Sequence, residues 1–488
     1  MANNDAIVKK VKIMASADWS MRKAMMDFNR FLDRPIQFEG KTYKVELGRI
    51  VAEPFQCGGD LTGVCDLIVD RTIHWNAFYK FWAQSAANNL MQNLNNSLSY
   101  DNLDKHAGYD LIARALHPLD RLPTTVLLPQ FAAYTEEMQR QELWEYEQSQ
   151  IIKYTKYGWD PNRAVTDWDK VRENVSKVPH WTEKQQVIRQ QFYPHGNYLA
   201  ETMEKFFGNR FPVFMKKAYG GGGSDVFKIH NMDELYQKYD ESGGRCFHLQ
   251  EAVEDYDTFV RCMAIGPQVL PMRYMPDEPL HKHYNPEKLK LDPAINHRLY
   301  NYVNFINSYY RWTYNSFEAL VKNGSIMPID FANACPDSNF VSLHVHFPWV
   351  ICALTKWTAF CVVTAKNLKI DLEQEEYLRV LNDKSIPQEK KFDFITKKNI
   401  AYYEPDKFKA FCAENYADIE DRMIEFYDRH FDELIAYSIE QSDFPKAEHE
   451  RFYWEYKNMM DGIFRPNAKE YLTTYMDAEK PKANSSKA

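Results

Sequence analysis

Patterned cysteine is the first thing this sequence lacks. Eight are spread over 488 residues (Cys57, Cys65, Cys246, Cys262, Cys335, Cys352, Cys361 and Cys412), and no two form a C-x-x-C pair. That scatter argues against a zinc knot or a disulfide framework and predicts free buried thiols in a reducing cytosol. Excess positive charge is missing too: 60 Lys and Arg against 68 Asp and Glu give a formal net charge of -8. Such a balance carries no general nucleic-acid or membrane footprint, so an anionic ligand needs a local cluster of donors. The opening Met1-Ala-Asn-Asn-Asp-Ala-Ile-Val-Lys-Lys has no apolar region of a secretory signal. The longest apolar stretch, Phe347 to Ala365, is interrupted by Lys356 and threonines and reads as a buried core helix, not a membrane span. A cytoplasmic chain is the expectation. No internal repeat is found.

Aromatic residues, by contrast, are abundant, with 31 Tyr, 30 Phe and 11 Trp. Together with 45% hydrophobic and 26% charged residues they describe a globular chain with large cores and pockets. Its length exceeds what one core usually serves, so two or three domains are expected. Strand patterns at Val11–Ala15, Tyr43–Leu47 and Cys65–Asp70 alternate with helical ones at Met21–Phe28 and Trp75–Leu94, which predicts a parallel α/β sheet. Residues 131 to about 200 are polar and helical in period, as an insertion or cap would be. From Phe211 to Cys335 strands and Gly/Asn turns dominate, and beyond residue 347 almost everything reads as helix, up to a polar tail at 479–488.

Chemistry concentrates in three places. Phe211-Pro-Val-Phe-Met-Lys216-Lys217-Ala-Tyr is followed by Gly220, Gly221, Gly222 and Gly223. Four glycines after a strand are costly in backbone entropy; the usual return is close approach of N–H groups to a phosphate. The spacing fits neither the P-loop nor the dinucleotide fingerprint. Next, Gln250-Glu251-Ala252-Val253-Glu254-Asp255-Tyr-Asp257 is an acidic turn leading into the strand of Arg261. Last, two strands joined at Asn323-Gly324 form a hairpin that brings Glu318 and Asp330 across from one another, with Asn333 and Pro336 following. Hard oxygen ligands of that kind suit the divalent cations of phosphoryl transfer.

With Pro212-Val213-x-x-Lys216 before the glycines, Val226 ten residues after Lys216, and an Asp104-Lys105 dipeptide upstream, the ordered set resembles the ATP-grasp superfamily. It is most similar to the branch of glutathione synthetase, ribosomal-protein glutamate ligase and D-alanine–D-alanine ligase. The resemblance implies an N-terminal α/β pre-ATP-grasp domain (1–130) and two α+β lobes around ATP (206–346). The helical insertion or cap (131–205) departs from the family's compact linker, and the helical C-terminal region (347–478) and the disordered tail (479–488) are read from their own residues, with no counterpart in the family.

It also implies roles. Lys105 and Lys216 hold nucleotide phosphates, with Lys217 the runner-up. Gly220 to Gly223 close over them. Gln250, Glu251, Ala252 and Val253 form the hinge at the adenine edge, and Asp257 holds the ribose, with Asp255 or Glu254 as alternatives. Arg261 or Arg273 faces the transferring group or a substrate carboxylate. Glu318, Asp330 and Asn333 carry Mg²⁺, with Mn²⁺ an alternative metal. Two departures stand out: the second acid is Asp where the family has Glu, and Asn333 follows it by three residues instead of two. A one-residue bulge would restore the geometry. His344 and His346 fall on one strand face, where a substrate contact is expected in preference to zinc.

The implied activity is an ATP-dependent ligase that makes an acylphosphate and joins it to an amine. The alternatives are an ATP-grasp kinase or a nucleotide-binding protein without turnover. Small-molecule carboxylate and amine substrates, amino acid or peptide, are the expected partners, with no nucleic acid and no membrane. The helical region past 347 covers the site or mediates a homodimer.

Overall fold

The computed structural model describes residues 6–15, 19–71, 76–99, 105–129, 198–218, 225–242, 245–368 and 370–473. Most of the expected 131–205 insertion, the glycines 220–223 and the 479–488 tail lie outside them. In chain order the elements begin β1 (Ile7–Ala15), α1 (Trp19–Leu32), β2 (Ile36–Phe38), β3 (Lys41–Arg49), β4 (Leu67–Arg71), α2 (Ala77–Asn88), β5 (Gln92–Asn93), α3 (Lys105–Ile112) and β6 (Thr125–Leu128). Then come β7 (Val213–Lys217), β8 (Val226–Ile229), α4 (Met232–Glu241), β9 (Phe247–Glu251), β10 (Thr258–Ile265), β11 (Gln268–Arg273), α5 (Pro293–Tyr310), β12 (Tyr314–Lys322) and β13 (Ser325–Asn333). The rest is helical: α6 (Phe347–Val363), α7 (Gln374–Asn382), α8 (Gln388–Tyr403), α9 (Pro405–Asn415), α10 (Ile419–Glu440) and α11 (His449–Met459). The chain divides into two units, one of Met1–Leu122 with Val253–Ala488, the other of Pro123–Ala252.

The larger unit holds two sheets. The first runs β2-β3-β1-β4-β5, with β3, β1, β4 and β5 parallel and β2 antiparallel at the edge. In β1, Val11 and Ile13 are fully buried, while Lys10 and Lys12, between and beside them, face the other way. The helix expected over Trp75–Leu94 is shorter. Asn76 caps it by accepting from the N–H groups of Phe78 and Tyr79, and Leu90 turns left-handed at φ 59°. Gln92 and Asn93 then pair with β4 as a strand.

The second sheet, β11-β10-β12-β13, is antiparallel throughout. Asn323 and Gly324 take φ of 51° and 77°, the two left-handed positions a tight hairpin turn needs. One 18-residue helix, α5, interrupts the stretch that reads as strands and turns. Asp292 caps it ahead of Pro293, and fourteen successive residues from His297 are buried. A helix buried all round has no polar face, so its period is invisible in the sequence.

Every residue of α6 except Lys356 is buried, with α10, α11 and α9 side chains packed around it in one cluster with β1 and β10. Phe340–Val363 is long and apolar enough to cross a membrane by length and composition, and 94% of its window is buried inside the protein. None of the eight cysteines is in a disulfide.

The smaller unit is a four-stranded antiparallel sheet, β6-β9-β7-β8. One face is apolar: Val213, Met215, Phe247 and Leu249 pack on Leu235 and Tyr239 of α4. Asn231 starts α4 by accepting from the Glu234 N–H.

Candidate active site

On the second sheet of the larger unit, Arg261 of β10 is directly opposite Glu318 of β12, and Glu318 is directly opposite Asp330 of β13. Directly opposed residues point to the same face, so three strands set a row of charge on one side of the sheet. Arg261 Nη1 lies 3.1 Å from Glu318 Oε1. Lys105, at the start of α3, completes the row by donating from Nζ to Asp330 Oδ2 at 2.8 Å. Gly108 lets α3 come this close: a Cβ there would stand 2.8 Å from a ring carbon of Phe331 in β13. Tyr109 also donates to the Ile329 carbonyl at 2.5 Å.

β13 is irregular at this point. Ser316 pairs with Asn333 and Glu318 with Asp330, so two residues on one strand answer to three on the other. That is a one-residue bulge. In a regular strand residues three apart face opposite ways; the bulge returns Asn333 and Asp330 to one face. The Asn333 side chain is occupied locally, its Oδ1 accepting the Cys335 N–H at 3.2 Å.

The Asp330 carboxylate holds the Lys105 ammonium above the usual lysine range, outweighing burial, with help from Glu318. For Arg261, burial opposes the charge, and Tyr284, Glu318, Tyr274 and Asp337 more than offset it. The Tyr274 and Tyr284 rings lie 5.1 and 5.6 Å from the guanidinium carbon. Among the described residues no group of three or more His, Cys, Asp or Glu could hold a metal. Two hard carboxylates still fit magnesium, which takes its other oxygens from phosphate and water.

Arg273 does not join this row. It is opposite Val260, whose neighbours Arg261 and Phe259 point the other way, so Arg273 lies on the reverse face and is exposed. Asp257 is engaged in the fold itself, since its Oδ2 accepts the Asn323 N–H at 2.7 Å and so caps the hairpin turn. Val253 is buried in a small apolar group with Phe259, Leu320 and Met327, with Tyr274 and Ile329 packed against it. Phe259 and Leu320 share the face of the charged row, because they are opposite each other and two positions from Arg261 and Glu318.

In the smaller unit Lys216 is directly opposite Val226, so β7 and β8 bracket the stretch that contains Gly220, Gly221, Gly222 and Gly223. Lys216 Nζ donates to Gln250 Oε1 at 2.7 Å, and Gln250 Nε2 donates to Thr125 Oγ1 at 2.8 Å. Lys217, one residue on, points to the other face and lies 3.6 Å from Asp225. Strand alternation thus separates the two lysines. Glu251 is tied to Thr124 twice, through its own N–H at 2.8 Å and through Oε2 at 3.1 Å.

His344 and His346 are not on a strand. They occupy a short helical turn that leads into α6, 1% and 2% exposed. His344 Nε2 bonds the Tyr284 carbonyl at 2.8 Å, and His346 Nε2 the Asn285 carbonyl at 2.9 Å. Burial pushes them down to about 3 and about 4, so both are neutral donors. With Nε2 of each spent on a backbone carbonyl, the two histidines hold the loop of Tyr284 and Asn285 instead of making the expected substrate contact. Tyr274, Tyr284, Asp337, Phe259 and Leu320 carried no sequence signal of a role here; register places Phe259 and Leu320 on the face of the row, and tertiary contacts bring the others beside Arg261.

No family model matches the chain, and no curated protein matches it. Among solved structures it is similar to a RimK domain ATP-grasp protein from Sphaerobacter thermophilus, at 12% identity and TM-score 0.40, over 67% of this chain and 92% of that one. The D-cycloserine synthetase DcsG gives 11% identity and TM-score 0.40, over 74% and 100%. D-alanine–D-alanine ligase from Bacillus anthracis, complexed with ATP, gives 10% identity and TM-score 0.36, over 81% and 99%. At such identities the activity has to be argued from the residues.

Proposed function

We propose that this chain is an ATP-grasp ligase that activates a carboxylate as an acylphosphate and joins it to an amine. The observation that carries the reading is the in-register row Arg261–Glu318–Asp330 with Lys105 bonded to its end. Two hard carboxylates between two cations are what metal-assisted phosphoryl transfer requires on one surface.

In this reading Mg²⁺, when bound, is held by Glu318 and Asp330 and neutralises charge across the phosphates. Lys105 and Lys216 bind phosphate oxygens, and Gln250 orients Lys216 through its 2.7 Å bond. Phe259, Leu320 and Met327 are an apolar floor for the base, with Val253 in the same group. Arg261 steadies the transferring phosphoryl group. A substrate carboxylate oxygen attacks the γ-phosphorus, the bond to the bridging oxygen breaks, and ADP leaves. The amine nitrogen then attacks the acyl carbon, phosphate departs, and the nitrogen sheds its proton. The glycines 220–223 are the proposed shield of the acylphosphate from water. Residues 1–130 supply the pre-grasp domain and 206–346 the lobes, 347–478 cover the site or mediate a homodimer, and thiols outside any disulfide suit a cytoplasmic setting.

One observation favours the alternative of nucleotide binding without turnover: Asn333 Oδ1 is engaged by its own loop. Measurement of ADP and phosphate release with Mg²⁺–ATP, with and without mixed amino acids, separates the two. The ligase reading expects amino-acid-dependent phosphate, an amide product, and a loss of about 100-fold or more in Asp330→Asn. ATP binding with no ADP from the parent chain points to the alternative, and no ATP binding refutes both.

A further inference from the structure

Beside Arg261 there is a buried hydroxyl that the fold itself leaves unused. Tyr284 is 2% exposed, and its Oη has no hydrogen-bond partner among the described residues. The Arg261 Nε is likewise buried without one. Leaving a buried hydroxyl unmade costs about 1–3 kcal/mol, so a residue kept this way calls for a reason.

The rest of Tyr284 is firmly fixed. Its backbone bridges to Tyr274. Three successive carbonyls are each met by a side chain from the helical region: Tyr284 by His344 Nε2 at 2.8 Å, Asn285 by His346 Nε2 at 2.9 Å, and Pro286 by Tyr471 Oη at 2.7 Å. The two histidines and the C-terminal helical turn thereby clamp the loop that presents the Tyr284 ring to Arg261. Tyr274, 5.4 Å away by ring centroids, differs in having its hydroxyl bonded to His283 Nδ1 at 2.8 Å. Charge around the Tyr284 hydroxyl comes from Arg261, Glu318 and Asp337. Glu318 is paired with Arg261, and Asp337 Oδ1 accepts the Asn339 N–H at 3.0 Å.

We propose that Tyr284 is a substrate-positioning residue, whose hydroxyl donates to an oxygen of the reacting carboxyl group beside Arg261. This rests on the ligase reading above. A ring held by its clamped backbone loses little freedom on binding, so its bond falls on orientation of the acid. The role would also explain what His344 and His346 are for, since both hold the loop of Tyr284.

The test compares the full-length parent with Tyr284→Phe, which removes only the oxygen. Acylphosphate is trapped as hydroxamate by hydroxylamine, with Mg²⁺–ATP and a panel of the common amino acids as carboxylate donors. The expected result is a KM for the acid raised about 10- to 100-fold, the size of a hydrogen bond to a charged group, with the KM for ATP unchanged. The melting temperature should stay the same or rise, because an unmet buried hydroxyl is gone. An unchanged acid KM in an active parent overturns the role of Tyr284 and leaves the ligase reading standing. A lowered melting temperature with both KM values shifted alike makes the hydroxyl structural, which also overturns it. A parent that yields no hydroxamate with any acid of the panel overturns the ligase reading and this role with it.

Discussion

Gly266 and Gly324 offer a paired experiment on what fixes the sheet that carries Arg261. Both glycines sit in tight turns of that sheet with left-handed φ, 57° and 77°. An alanine at either pays the backbone cost of a non-glycine residue there, about 1–2 kcal/mol. Space distinguishes them. At Gly324 a Cβ meets nothing within 4 Å, whereas at Gly266 it would stand 2.3 Å from Trp357 Cδ2 and 2.5 Å from Cε3. Trp357 cannot give way easily. It is fully buried, stacked on Phe360 at 5.4 Å and wedged by Phe408 at 5.5 Å. Overpacking of that kind adds about 1–3 kcal/mol. Gly266→Ala should therefore cost about 2–5 kcal/mol and Gly324→Ala about 1–2 kcal/mol. At about 2–4 °C per kcal/mol for a domain of this class, the first variant should melt several degrees below the second. Thermal unfolding followed by near-ultraviolet circular dichroism reports the Trp environment directly. Variants that melt within about a degree of each other would mean that the Trp357 contact is not limiting, and the packing argument fails.

Two further outcomes follow from buried polar groups. His344 and His346, held by burial at about 3 and about 4 against an ordinary 6.5, must be neutral in the folded state. Their contribution is complete above pH 6.5 and is lost as pH falls from there towards the folded values, by about 1.4 kcal/mol per pH unit for each. Urea midpoints between pH 7 and 4.5 should show a slope shallower by about one proton in His344→Gln; an unchanged slope removes that histidine from the account. Asp120 is the second case, with a side chain 0% exposed that accepts from Arg298 Nε at 2.8 Å, Tyr302 Oη at 2.5 Å and the Ile326 N–H at 2.8 Å. Asp120→Asn strands the Arg298 cation and should cost about 3–5 kcal/mol in chemical denaturation, and a loss under about 1 kcal/mol contradicts it.

Local chemistry in this chain was legible and long-range register was not. The Asn323-Gly324 turn, the facing of Glu318 and Asp330, and the bracketing of the glycines by Lys216 and Val226 all follow from strand period and turn residues within a short span. Arg273 failed for a reason of the same kind: whether it shares a face with Arg261 depends on the turn at Gly266-Pro267, which the alternation of a single strand does not report. Asp257 looked like a ligand because an acid in a turn carries no mark of the backbone N–H it caps sixty-six residues on. The two histidines looked like a strand pair because H-x-H has period two, yet Leu343 and Phe347 belong to helical turns fixed by the core around α6. Tyr284 left no trace, since its position is set by carbonyl bonds to residues 60 and more positions away.

The charged row also constrains how a nucleotide would enter. Arg261 with Glu318, and Lys105 with Asp330, are two ion pairs whose formal charges cancel. A neutral row offers little long-range attraction to a polyphosphate, and each cation already has a carboxylate beside it. On the proposed reading Glu318 and Asp330 would hold a divalent ion that arrives with the phosphates, and Lys105 and Arg261 would turn to phosphate oxygens. Every charge then exchanges one partner for another, and none is left bare in a site where Arg261 and Glu318 are only 10% and 18% exposed. Free nucleotide would instead have to break both pairs and leave two carboxylates beside its own negative charge. On the proposed ligase reading the row would favour joint entry of metal and nucleotide over entry of either alone, which is why Asp330→Asn should weaken turnover more than it weakens binding of the base.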